Sequence, residues 1–254
     1  MQRSLAVLLQ DSGDAPAAAR ITADNTRRPA ELYGAEDGEA ALDQSFRVIP
    51  LCLTGRIAEG LAAARDSVRM ASGLHGLPEP DRRGLERRLG LALLFDGRFA
   101  ESLSLLQRLA EADERDGFND GREAATLVYL PAALSLRGQP QAAAERAAEA
   151  ATIWRRHATL TSQTLAGRAL LAQSLALAQA GQAGDAQARL DQGLALLKPR
   201  LPAGHVLLRS AELVRAAVLR AQGQAAAALA LERDTQTGPW EAGYALPASL
   251  PWLP

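Results

Sequence analysis

Few residues of this 254-residue chain have types and spacings that could support catalysis or metal binding. Its three histidines, His75, His157 and His205, are far apart, and none has a second ligand four residues away on a helix. Cys52 is the only cysteine, which excludes an internal disulfide and a cysteine-rich metal site. We therefore expect a noncatalytic chain without metal or cofactor, in which Cys52 is a small buried apolar residue.

The acidic stretch 113–121 invites comparison with a calcium-binding loop because it is rich in aspartate and glycine. If Gly121 were the sixth residue of such a loop, Phe118 would be the third and Leu127 the twelfth, where oxygen ligands are required. We interpret the stretch as a solvated loop between helices instead. The sequence also contains no phosphate-binding glycine loop, nucleophile elbow or zinc-protease helix motif.

Composition indicates which elements would position any binding residue. Ala, Leu, Arg, Glu and Gln dominate and aromatic residues make up 4%, which favours helices because unbranched side chains lose little rotamer freedom there. The formal net charge of −1 provides no overall field to attract nucleic acid or an anionic membrane. The apolar stretches are shorter than the roughly 18 residues of a membrane span, and residues 1–10 do not form a secretory signal. We expect a cytoplasmic chain.

Glycines recur about every 42 residues, and such a fixed period indicates a tandem repeat. These turn glycines are Gly13, Gly55, Gly97, Gly138, Gly181 and Gly223. The residue four positions before each of them is always leucine. These leucines are Leu9, Leu51, Leu93, Leu134, Leu177 and Leu219. A repeat of this kind predicts that equivalent residues occupy equivalent places in successive structural units.

Two further columns of the repeat hold small residues, which close helix packing requires. The column five residues after the turn glycine contains Ala18, Gly60, Ser102, Ala143, Ala186 and Ala228. The column seven residues before it contains Ala6, Val48, Gly90, Pro131, Ser174 and Ala216. The simplest geometry that satisfies both columns is a hairpin of two antiparallel helices joined by a left-handed glycine. We predict an all-α array of about six such hairpins in residues 1–236.

The repeat resembles the tetratricopeptide repeat (TPR) family. Leu89, Gly90, Leu93 and Ser102 follow its pattern of Leu-Gly, a large residue three positions later, and a small residue on the second helix. The resemblance implies a right-handed α-solenoid of helix-turn-helix repeats. Arrays of this kind often form the sensing or docking part of bacterial kinases and transcription regulators, and the Ala- and Arg-rich composition is typical of a GC-rich bacterial genome.

The period of 42 residues is similar to that of the kinesin-light-chain variety of TPR. In that variety a longer second helix and a loop of the Leu-Gly-x-x-His-Pro type precede the next unit. Residues 32–37, 74–78 and 201–205 are similar to that loop. The tryptophan usual near the start of a unit and the proline usual at its end are missing.

The resemblance also implies that the first helix of each hairpin lines a concave wall, at positions ten, six and three before the turn glycine. Spacings of four and three place these residues on one helical face. They are Arg3, Val7, Gln10, Ser45, Ile49, Cys52, Arg87, Leu91, Leu94, Val128, Ala132, Ser135, Leu171, Leu175, Ala178, Leu213, Ala217 and Arg220. The middle of this wall is apolar, whereas both ends carry arginine.

Two interpretations of the wall stay open. A large apolar groove would require a ligand, and the leading hypothesis is a noncatalytic scaffold that binds a protein or peptide there. Alternatively, the same residues pack on adjoining helices and leave little free surface. The competing functional hypothesis is a sensor for a small molecule or signal peptide, with Arg87, Arg88, Tyr129 and Arg168 as its polar groups. No group of residues in the sequence has the types and spacing of a catalytic site, so nothing supports an enzyme.

The ends of the chain are the last feature. Residues 237–254 contain Trp240, Trp252 and several prolines, which exclude helix. We expect this tail to cap the final hairpin with both tryptophans buried, although it could lie in the groove or bind a neighbour. A homo-oligomer through the tail or the terminal repeats also stays open. Because the first wall position follows Met1 almost at once, we expect a fragment or an array that follows an upstream domain.

Overall fold

The computed structural model describes residues 5–6, 9, 14–32, 38–74, 76–116, 126–156 and 159–237. The regular secondary structure of these residues is helical, without a strand among them, which confirms the all-α prediction. The chain divides into two compact units between Leu105 and Leu106. Each unit is built from helices that are consecutive in sequence.

The first unit contains the helices up to Leu105. They are α1 (Ala15–Leu32), α2 (Gly38–Phe46), α3 (Val48–Leu53), α4 (Ile57–Ser72), α5 (Glu79–Phe95) and the start of α6 (Phe99–Asp116). Helix α4 packs against α2, α3 and α5, and α1 packs against α2 and α3. Neighbours in sequence are therefore neighbours in space, as a hairpin repeat requires.

Helices α2 and α3 together occupy the place of one predicted first helix. They are separated by a turn at Arg47. Pro50 explains this break, because it has no N–H to donate to the Phe46 carbonyl and its ring crowds that oxygen. The N–H of Leu51 resumes the helical pattern by donating to the Arg47 oxygen at 3.0 Å. The repeat therefore keeps its length, and the helix is interrupted at Arg47.

The second unit begins at Leu106 within α6. Its further helices are α7 (Thr126–Leu136), α8 (Pro140–Arg155), α9 (Leu160–Gln179), α10 (Ala183–Leu197), α11 (Val206–Ala221) and α12 (Ala225–Thr237). They form the hairpins α7/α8, α9/α10 and α11/α12. Helix α9 packs against α7, α8, α10 and α11, so each hairpin contacts the next. This sequential packing buries the apolar stripe that no hairpin covers alone.

The turns within the hairpins share one geometry. Five predicted turn glycines have φ between 74° and 79°, the left-handed region that favours glycine, and they are Gly55, Gly97, Gly138, Gly181 and Gly223. At Gly97, the Arg98 N–H donates to the Leu93 oxygen at 2.9 Å, and the Ser102 N–H donates to the Arg98 oxygen at 3.0 Å. The same two bonds recur at the other four glycines, so one residue ends the first helix and begins the second. Gly13 lies outside the described residues.

The two small-residue columns meet where the helices of a hairpin cross. Ser102, five residues after its turn glycine, donates through Oγ to the carbonyl oxygen of Gly90, seven residues before it, at 2.7 Å. In the α9/α10 hairpin the direction is reversed, because Ser174 Oγ donates to the Ala186 oxygen at 2.8 Å. The described residues of the later column, from Ala18 to Ala228, are all buried. This confirms that small residues permit the close approach.

Candidate functional site

In the first unit, most predicted wall positions lie inside the packed structure. Leu91 and Leu94 are each 1% exposed, and Ser45 is fully buried. The Arg87 side chain is also buried, at 7% exposed, whereas Ile49 is partly exposed. The helix face chosen from the sequence is therefore mainly a packing face in this unit.

Arg88, next to the buried Arg87, is partly exposed and held in place. Its guanidinium carbon lies 4.3 Å from the centre of the Phe46 ring, within the range of a cation–π contact. Its Nη1 also donates to Ser45 Oγ at 3.3 Å. Phe46 is the last residue of α2, so the break at Arg47 places the ring that supports this guanidinium. The contact joins residues 42 positions apart and had no signal in the sequence.

In the second unit, the apolar wall positions are buried as well. Val128, Leu171, Leu175 and Leu213 are between 0% and 8% exposed. Arg220 is exposed, and its Nη2 donates to both carboxylate oxygens of Glu232 at 2.8 Å. This ion pair links the two helices of the α11/α12 hairpin.

Two polar residues named from the sequence remain partly exposed in the second unit. They are Tyr129 on α7 and Arg168 on α9. Arg3 lies outside the described residues. The burial of the leucines agrees with the alternative in which they pack on adjoining helices. Of the predicted site residues, Ile49 and Arg88 remain partly exposed in the first unit, and Tyr129, Arg168 and Arg220 remain accessible in the second.

Cys52 is buried at the crossing of α3 and α4. A Cβ added to Gly60 would lie 2.7 Å from Cys52 Sγ and 3.3 Å from the Val48 oxygen, so the thiol fills the space that glycine leaves. Burial, together with the smaller effect of the negative charge of Asp96, raises the pKa of the Cys52 thiol to about 12. The thiol is thus neutral and inaccessible, as expected for a packing residue.

Asp113 corrects the interpretation of stretch 113–121 as wholly solvated. This aspartate is 0% exposed, and its Oδ2 accepts a hydrogen bond of 2.5 Å from Thr126 Oγ1. The bond joins the end of α6 to the start of α7, which explains why a carboxylate is tolerated in the interior. This partner is 13 residues away and had no signal in the sequence. Residues 117–121 lie outside the described ones.

His205 has a local structural role at the start of α11. Its Nδ1 accepts a hydrogen bond from the Leu207 N–H at 3.1 Å, which caps the helix. His75 and His157 lie outside the described residues. Within the described ranges, His, Cys, Asp and Glu form no group of three or more that could hold a metal ion. Among the same residues, no helix combines the length and apolar character needed to cross a membrane.

A pocket of about 450 Å³ lies in the first unit, away from the predicted polar groups. Leu42, Leu74, Leu77 and Pro78 provide its apolar lining, and Glu39 and Asp81 provide carboxylates. Arg87 and Arg88 do not line it. This pocket therefore does not bring together the residues that the sensor hypothesis requires.

Comparison with known proteins identifies the architecture. No protein-family model and no curated protein matches the chain. A Rap protein complexed with competence and sporulation factor matches over 92% of this chain and 67% of its own, with a TM-score of 0.71 and 13% identity. BtubC (BKLC) from P. vanneervenii matches over 91% and 96%, with a TM-score of 0.60 and 16% identity.

The TPR-like repeats assigned to a kinesin light chain of Podosopora anserina match over 78% of this chain and 93% of theirs. The TM-score is 0.57 and the identity is 19%. At this level of identity such matches establish the fold. The chain is a TPR-like helical repeat protein, as the spacing of its turn glycines predicted.

Proposed function

We propose that the chain is a noncatalytic scaffold that binds a protein or peptide through the first helices of its hairpins. The TPR-like fold supports this proposal, and so does the Rap protein of similar fold, whose structure is a complex with competence and sporulation factor. By the same proposal the chain is the docking or sensing part of a larger cytoplasmic bacterial regulator. In each unit the partner contacts the partly exposed residues of these first helices.

One observation carries the proposal: each unit presents a partly exposed arginine on the same helical face as a buried leucine. Arg88 and Leu91 are three residues apart on α5, and Arg168 and Leu171 are three apart on α9. Residues at this spacing share a face. The leucines fix the helices by packing, while the side chains of Arg88, Arg168 and Tyr129 are partly exposed.

The accessible groups define the chemistry of the partner. A guanidinium is a planar donor that matches a carboxylate, and arginine and tyrosine are enriched at binding surfaces. We therefore propose that each unit binds a peptide segment through a carboxylate, which contacts Arg88 in the first unit and Arg168 in the second. The buried leucines contribute to binding only by holding these side chains in place.

A display experiment tests the proposal without knowledge of the natural partner. A library of random peptides is selected on the purified chain, and the binding of enriched peptides is measured by fluorescence anisotropy. The variant Arg88→Glu/Arg168→Glu is expected to weaken binding at least about tenfold because both guanidinium contacts become repulsive. Circular dichroism shows whether this variant retains the fold.

Arg65→Glu/Arg137→Glu is the matched control, because it changes the net charge equally at exposed positions outside the predicted face. The proposal requires this variant to bind like the wild type. It fails if no peptide is enriched, or if both double variants lose the same affinity. Measuring the radius of gyration with and without an enriched peptide distinguishes a scaffold from a signal-peptide sensor, in which the ligand changes the shape of the array.

A further inference from the structure

The ends of two neighbouring second helices carry an unusual concentration of positive charge. Arg155 and Arg156 are at the end of α8, and Lys198 and Arg200 follow α10. Counted from the turn glycine of each hairpin, they are 17 to 19 residues along, so they occupy equivalent places in successive repeats. All four are exposed. We call these four residues the basic edge.

Several arginines on or just before the second helices form ion pairs with acidic residues. Arg98 contacts Glu101, Arg69 contacts Asp66, and Arg146 contacts Glu149. By contrast, within the part of the chain that the structure describes, none of the four residues of the basic edge is in an ion pair. Their charges are therefore not balanced locally.

The helix dipole accounts for only part of this arrangement. Cations are favourable near helix C-terminal ends because the last carbonyl groups carry partial negative charge. Arg200 uses this interaction directly, since its Nη1 donates to the Leu196 oxygen at 2.7 Å. No such bond is formed by Arg155, Arg156 or Lys198 within the described residues. These three side chains remain available to a partner.

The edge is limited on one side by acidic residues. The equivalent end of α6 carries two carboxylates and one cation, Glu114, Arg115 and Asp116, and Arg146 of α8 forms ion pairs with Glu114 and Glu149. The basic edge therefore extends over two hairpins. Helices α8 and α10 both pack against α9, and Gln182, just before α10, donates through Nε2 to Gln141 Oε1 of α8 at 3.1 Å, so these two second helices are neighbours.

We propose that the basic edge is a second interaction surface, which binds a short acidic peptide segment. A long polyanion such as nucleic acid carries a charge about every 1.7 Å and would meet the carboxylates at the end of α6. A cluster of a few glutamates or aspartates matches the four cations without that repulsion. This surface is separate from the wall positions of the proposed scaffold and uses none of their residues.

A labelled peptide with four consecutive glutamates tests the proposal, and the same peptide with glutamines is its control. Fluorescence anisotropy with the full chain at low ionic strength is expected to show binding of the glutamate peptide alone. Added salt weakens this binding because exposed charges are screened within roughly 10 Å at 0.1 M. Arg155→Glu/Lys198→Glu reverses one charge in each hairpin and is expected to weaken binding about tenfold.

Arg65→Glu/Arg137→Glu makes the same change in net charge elsewhere and is expected to bind the glutamate peptide like the wild type. The response of the glutamate peptide to Arg155→Glu/Lys198→Glu decides this proposal, whereas the scaffold proposal is decided at Arg88 and Arg168, so the two failures are distinguishable. The proposal is overturned if the glutamate peptide does not bind, or if the control variant loses the same affinity. It is also overturned if oligothymidylate binds more tightly with the same dependence on Arg155 and Lys198.

Discussion

The hairpins α9/α10 and α11/α12 share a backbone pattern but differ in the side chains of their second helices. Nine residues after the turn glycine, α10 has Leu190, which is fully buried, and α12 has Glu232. Helix α10 packs against α11 of the next hairpin. Glu232 instead receives two hydrogen bonds from Arg220 of its own hairpin. The same position of the repeat is thus buried and apolar in α10 and forms an ion pair in α12.

The two hairpins also differ at an equivalent position in the first half of their first helices. Gly167 of α9 leaves room for Leu197 of α10, since a Cβ at Gly167 would lie 2.6 Å from Leu197 Cγ. Gly167 lies fourteen residues before the turn glycine of its hairpin. At the equivalent position the α11/α12 hairpin has Arg209. Arg209 Nη2 donates to the Thr235 oxygen of α12 at 3.0 Å. The close contact between Gly167 and Leu197 in one hairpin is thus replaced by a hydrogen bond from Arg209 to the Thr235 carbonyl oxygen in the other.

The largest expected difference concerns Leu190 and Glu232. Leu190→Ala is expected to lower the free energy of unfolding by about 3 kcal/mol, because it leaves a cavity at a fully buried site. Glu232→Ala removes an ion pair near the surface and is expected to cost less than about 1 kcal/mol. Urea unfolding followed by circular dichroism measures both values. Equal losses would mean that the two hairpins do not differ as described.

Gly167 and Arg209 are expected to differ by a smaller amount. Gly167→Ala puts a methyl group against Leu197 and is expected to cost about 2 kcal/mol. Arg209→Ala removes a hydrogen bond to the Thr235 oxygen and is expected to cost about 1 kcal/mol. The double variant Gly167→Ala/Leu197→Ala provides the control. If Leu197 causes the clash, this variant loses less stability than the sum of the two single losses.

Features fixed by local chemistry could be predicted from the sequence. Gly97 and the other described turn glycines have the left-handed φ that was expected. This conformation depends on the residue type and not on contacts with distant residues. The contact of Ser102 with Gly90 also followed from the repeat, since small residues at fixed distances from the turn must face each other. Both features depend on one hairpin alone.

Features decided between hairpins could not be predicted in the same way. Leu91 and Leu171 have the spacing of an exposed groove face and yet are buried, because residues distant in sequence decide their exposure. The support of Arg88 by Phe46 depends on the break that Pro50 imposes on the preceding hairpin. Pro50 was a usable signal for that break, whereas the contact of Phe46 with Arg88 had none.

The starts of α9 and α11 provide a third comparison. Thr159 Oγ1 accepts a hydrogen bond from the Ser162 N–H at 3.1 Å, and His205 Nδ1 accepts one from the Leu207 N–H at the same distance. Thr159→Ala and His205→Ala are each expected to cost about 1 kcal/mol, because either removes a helix cap. Urea midpoints measure the losses. His205→Asn is expected to recover part of the stability, and failure to do so would assign the effect to packing instead.

The tail, residues 237–254, provides the smallest expected effect. We predict that it covers the α11/α12 hairpin and buries Trp240 and Trp252, which lie outside the described residues. Trp154→Phe removes the buried tryptophan of α8, so that acrylamide quenching reports on the other two alone. Their quenching constant is expected to be lower in the folded chain than in urea.

Leu229 tests where the tail packs. It is 46% exposed on α12, whereas Leu61 and Leu103, six residues after their own turn glycines, are 6% and 8% exposed. If the tail packs here, Leu229→Gln in the Trp154→Phe background raises the quenching constant, while Ala58→Gln on α4 does not. Two tryptophans as accessible in the folded chain as in urea would remove the capping role. The polar pair of Arg220 and Glu232 would then make the surface of this hairpin compatible with water without cover from the tail.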